Sequence, residues 1–143
     1  MEELINSIVS QAKQFLLDFG EFFTFGFAIS KEGKISSIGV HFGDEHPASQ
    51  EVIMHLEKGF KSGLLNGSYS VVAMCVDVLA TPPGSNEKTE ALEIRIDGID
   101  IEPINYYFPY SKQANGEIAI QGKYSTSGTA IRVQPISASI ISR

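Results

Sequence analysis

The stretch from Ser70 to Asp97 restricts the fold more than any other part of the chain. Residues 68–80, Ser-Tyr-Ser-Val-Val-Ala-Met-Cys-Val-Asp-Val-Leu-Ala, are apolar at both alternating parities apart from Asp77. A run of that kind suits a strand buried on both sides. A polar loop, Thr81-Pro-Pro-Gly-Ser-Asn-Glu-Lys88, leads into Glu90-Ala-Leu-Glu-Ile-Arg-Ile-Asp97. There Leu92, Ile94 and Ile96 alternate with Glu93, Arg95 and Asp97, the pattern of a strand with one wet face. The two segments read as the central hairpin of an antiparallel sheet.

The clearest helix precedes them. Leu4, Ile5, Ile8, Val9, Ala12, Phe15, Leu16 and Phe19 recur at spacings of three and four, giving one apolar stripe over residues 2–19. Glu2 and Glu3 suit the positive end of its dipole, and Gly20 sits where a left-handed C-terminal cap belongs. Residues 21–29 read as a strand with Phe23, Phe25, Phe27 and Ile29 on one face. The other face carries Phe22, Thr24, Gly26 and Ala28, small enough at its centre for a close neighbour. Ser30-Lys-Glu-Gly33 is a hairpin turn into a return strand over 34–42. Its Ile35 is out of phase with Ile38, Val40 and Phe42, so a bulge or late start is expected near Ser36 and Ser37. Gly43-Asp-Glu-His-Pro47 leads into a second helix, with Pro47 at its first position and Val52, Ile53, Leu56, Phe60 and Leu64 on its buried face. Asn66-Gly67 ends that helix.

Beyond the hairpin, Gly98 breaks the phase and calls for a turn or bulge. Strands follow at 104–110, where Pro109 marks an end or an edge, and at 117–122. The whole reads as an α+β two-layer sandwich: two helices on one face of a mostly antiparallel sheet of five to seven strands, in the order α-β-β-α-β-β-β-β. Residues 1–122 form a single domain, and 123–143 form a C-terminal extension, an added strand or a mobile tail. The core order resembles that of profilin-like and roadblock-like domains, a likeness of topology that carries no function.

Composition limits function mainly by exclusion. The formal net charge of −6, with dispersed lysines, argues against nucleic acid and is compatible with a basic protein partner. No run is long enough to span a bilayer, and the acidic start lacks the features of a signal peptide. The single Cys75 permits no internal disulfide, so a cytoplasmic setting is expected.

Each candidate for chemistry has a plainer alternative. His41, His46 and His55 match no standard zinc spacing, and neither a metal nor a cofactor is expected. Asp44 and Glu45 beside His46 suit a helix lead-in. Cys75, inside the most apolar run, is expected to be inert packing. Asp77 is read as the point where its strand emerges into solvent, the alternative being a partly buried acid paired with Lys88 or Arg95. The 84–89 loop lacks the second glycine and the following helix of a phosphate loop. Asp97, Asp100 and Glu102 lack calcium-loop spacing. Among the aromatics, Tyr107 and Tyr110 are expected at the surface, where a protein partner or second copy would cover them.

The tracts Phe19-Gly-Glu-Phe-Phe-Thr-Phe-Gly-Phe-Ala28, Gly43-Asp-Glu-His-Pro47 and Thr81-Pro-Pro-Gly-Ser-Asn-Glu-Lys-Thr89 resemble, in the same order, those of a family of small uncharacterised bacterial proteins. The resemblance covers about residues 12–122 and implies no activity. The expected function is a non-enzymatic protein-interaction domain: an immunity-type inhibitor or a subunit that binds a basic partner or a second copy. The alternative is a small-molecule-binding or weakly catalytic domain built from the 44–46 and 82–88 loops. Asp44, Glu45, His46, Asp77, Lys88, Tyr107 and Tyr110 are the candidate contact residues.

Overall fold

A computed structural model describes residues 1–39 and 49–128. The chain runs through α1 (Glu2–Phe19), β1 (Phe25–Ser30), β2 (Ile35–Ile38), α2 (Ser49–Asn66), β3 (Tyr69–Ala80), β4 (Thr89–Gly98), β5 (Ile101–Lys112), β6 (Ile118–Ile120) and β7 (Tyr124–Ser127). The class is α+β with the expected order, and β7 follows as one more strand. All pairings are antiparallel, in the spatial order β2-β1-β3-β4-β5-β6. β7 lies along the same outer edge of β5 as β6, on the stretch from Ile104 to Tyr107. Among the described residues no helix is long and apolar enough to cross a membrane.

The helix stripe and cap in α1 form as the spacing predicts. Leu4, Ile5, Ile8, Ala12 and Leu16 are buried, and Gly20, at φ 76°, donates its N–H to the Leu16 carbonyl at 2.9 Å. That left-handed backbone is what glycine supplies at little cost.

The two helices do not share a face of the sheet, contrary to the two-layer expectation. Ala73 and Cys75 of β3, with Leu92, Ile94 and Ile96 of β4, belong to the core that contains α1. Val72, Met74, Val76 and Val78 belong to a second core with Val52, Ile53, Leu56, Phe60 and Leu64 of α2. Successive strand side chains point to opposite sides, so a strand apolar at both parities needs a cover on each. The fold is therefore a helix–sheet–helix sandwich. Gly26 permits the close seat of α2: a Cβ there would lie 2.6 Å from Phe60 Cζ and 3.3 Å from the Ala73 carbonyl oxygen.

Two local expectations change for the same reason. Ile35 packs with the α1 core and Ile38 with the α2 core, and β2 pairs with β1 in unbroken register. No bulge is needed where both faces are covered; the irregularity lies between Ile29 and Ser30, opposite β3. The expected wet face of β4 is buried, with Glu93, Arg95 and Asp97 all enclosed. The phase break at Gly98 is present, as a register shift between Ile96 and Gly98 against β5.

Candidate functional site

The enclosed side of β4 carries a buried polar cluster. Glu93 and Arg95 lie two apart on one strand and so point the same way. Arg95 Nε donates to Glu93 Oε1 at 2.7 Å. Tyr107 stands opposite Glu93 in the β4–β5 register, and its hydroxyl donates to Glu93 Oε2 at 2.7 Å. Both oxygens of Glu93 are thus engaged. Tyr124 of β7 stacks on Tyr107, with ring centroids 5.0 Å apart and planes 12° from parallel.

From the facing helix comes Glu57, only 3% exposed. Its Oε1 and the Nη2 of Arg95 are buried atoms without a hydrogen-bond partner. Burial pushes the Glu57 carboxyl above the ordinary range, and the Arg95 charge opposes that rise. Burial, then the hydrogen bond to Glu93, pushes the Tyr107 phenol up to about 12. A phenol held that high is no base at neutral pH, and Glu93 is committed to its two donors. The cluster's chemistry is that of a buried charge network, in which burial makes Glu57 hold a proton more tightly than a solvated carboxyl does.

Asp77 lies on the other side of the sheet and does not emerge into solvent. It is buried in the middle of β3, and the Tyr110 hydroxyl donates to its Oδ1 at 2.8 Å. The buried-acid alternative holds, with the Tyr110 hydroxyl as a donor. Tyr110 is correspondingly a core residue, not a surface one, and Tyr107 is half-buried. Cys75 is fully buried, and burial, with the Asp77 and Glu93 charges, holds its thiol well above the ordinary range. It is not poised as a nucleophile.

Lys88 is exposed on the β3–β4 loop. Asp44, Glu45 and His46, with His41, lie outside the described residues, so the proposed meeting of the two loops lies outside them as well. His55 is exposed on α2, and no three His, Cys, Asp or Glu side chains of the described residues are grouped to hold a metal ion.

A second feature was missed from the sequence. At the junction of α1 and β1, a groove of about 470 Å³ is lined by Phe15, Phe19, Phe22, Phe23, Phe25 and Glu21, with Thr24 and Gly39. Phe15 and Phe22 pack edge-on against Phe25, at centroid distances of 5.4 and 5.7 Å. Phe19 and Phe23 are 72% and 41% exposed, although the helical stripe and the strand alternation placed both inward. The signal was the Phe22-Phe23 pair: adjacent residues of an extended chain cannot both face one core. Glu21 is an exposed part of that lining, and Lys112 Nζ donates to the Gly20 carbonyl at 2.6 Å, tying this turn to β5.

No family model matches the chain, and no curated protein or solved structure matches it significantly.

Proposed function

We propose that this protein is a non-enzymatic interaction domain, cytoplasmic in setting, that binds a basic protein partner as an inhibitor of the immunity type or as a subunit. The observation that carries this reading is the phenylalanine groove, an open aromatic patch with Glu21 in its lining on a chain of net charge −6. Exposed aromatics grouped in a concavity are typical of docking surfaces, and large apolar residues anchor such contacts. The acidic balance favours an approaching cationic surface and speeds its encounter.

The test is affinity capture from the native host with the full chain, alongside a Phe19→Asp variant. The expected result is a stoichiometric basic protein whose retention weakens with salt and is lost with Phe19→Asp. No such protein, or one retained equally by the variant, would overturn the reading. Phe19 is so exposed that the variant should fold as the parent does.

A further inference from the structure

We propose that the outer edge of β2, together with the phenylalanine groove at its end, receives an extended segment of the basic partner as an added strand of the sheet. The inference rests on the interaction-domain reading and specifies its mode of contact.

The first support is the edge itself. β2 is the terminal strand of the sheet and pairs only with β1 among the described residues. The Ser30 N–H donates to the Lys34 carbonyl, which makes Ser30 and Lys34 a hydrogen-bonded pair of the ladder. Antiparallel pairs alternate between bonded and non-bonded. With Ile29 opposite Ile35 and Phe27 opposite Ser37, the alternation turns the N–H and C=O groups of Ile35 and Ser37 outward. Sheet edges are usually blunted by shortness, charge, proline or a bulge; β2 is short, at four residues, but Ile35-Ser-Ser-Ile38 carries no charge, proline or bulge. It is a template for strand addition, in which main-chain bonds bind and side-chain pockets select.

The groove supplies such a pocket. Gly39, the residue directly after β2, lines it. A segment running along β2 therefore reaches the phenylalanines at its end. Charge orients the segment: Lys31 and Lys34 lie just before β2, whereas Glu21 lines the groove. A lysine or arginine suits the groove end, its aliphatic stem on the Phe19 and Phe23 rings and its charge toward Glu21. A second copy is the weaker occupant, because two chains of net charge −6 repel.

The probes are two capped peptides, Thr-Val-Thr-Val-Leu-Arg-Arg and the same sequence ending Glu-Glu, titrated into the ¹⁵N-labelled protein to millimolar concentration. The arginine peptide should shift the amides of residues 35–39 and 19–25, with the glutamate peptide about tenfold weaker or silent. Ser37→Pro, which removes an outward N–H while leaving the β1 ladder bonds intact, should abolish the shifts with an unchanged melting temperature. Shifts confined to other surfaces, equal binding of the two peptides, binding that survives Ser37→Pro, or no shift at all would overturn the inference. So would a dimer in sedimentation that Ser37→Pro dissociates, which would assign the edge to a second copy. A basic host partner captured equally by Ser37→Pro would refute this contact mode and leave the interaction reading standing.

Discussion

The two sides of the sheet solve the same problem with different materials. Under α1 the contact is almost wholly apolar, from Leu4, Ile8 and Leu16 to Cys75, Ile94 and Ile96, with Asp77 and Tyr110 as its polar pair. Under α2 the β1–β3 half is apolar as well, from Ile53 and Phe60 to Val72 and Met74. The β4 half is charged, with Glu57 facing Arg95 and Glu93. Apolar burial is non-directional and holds a helix down without fixing its position. Buried charges are directional: each is costly away from its partner, and the cost rises when one partner is removed. The α1 side therefore contributes stability, and the charged half of the α2 side restricts how that helix can sit.

The largest test of this contrast is Arg95→Met. It leaves Glu93 and Glu57 buried without their cation and should cost about 3–5 kcal/mol in denaturant unfolding. The double variant Glu93→Met with Arg95→Met, which removes the pair together, should recover most of that loss. If the double variant were as unstable as the single one, the charged half would be a source of stability after all.

On the α1 side the corresponding test is Tyr110→Phe. It removes the donor to a buried carboxylate and should cost about 1–3 kcal/mol by the same measurement. An effect as large as that of Arg95→Met would erase the distinction between the sides.

The smallest expected effect is on pH dependence. Burial raises the Glu57 carboxyl above its ordinary value of 4.5, so the folded chain holds this proton more tightly than the unfolded one. Its contribution is fully present below that value and is lost as pH rises through the raised one. Glu57→Gln, a neutral mimic, should raise the melting temperature at about pH 7.5, and the gain should shrink toward about pH 4. A gain that does not vary with pH would remove the titration of Glu57 from the account.

Much of this was legible in the residues. The stripe over residues 2–19, the Gly20 cap and the phase break at Gly98 follow from spacing and turn chemistry. The two-sided apolar run of β3 already required two covers, and Gly26 and Ala28 on the reverse of β1 offered a seat for the second. The charged cluster left a fainter trace. Glu57 falls on the apolar stripe of α2, four residues after Ile53 and three before Phe60, where a solvated acid does not belong. Glu93 and Arg95, opposite in sign and two apart on a strand, are spaced to satisfy each other.

What the sequence determined by itself is therefore periodic: which residues are helical, which alternate, and which parity of each strand is polar. Alternation records that two faces differ in polarity; whether the polar face meets water depends on what packs over it. That was decided in three dimensions, where α2 crossed to the side opposite α1 and enclosed Glu93 and Arg95. The same holds for Asp77, an interruption in the sequence and a hydrogen-bonded core residue in the fold. Its donor, Tyr110, lies 33 residues away, a separation no local pattern encodes. The groove is tertiary too, because phenylalanines with inward periodicity stay exposed where α1 ends and β1 has yet to begin.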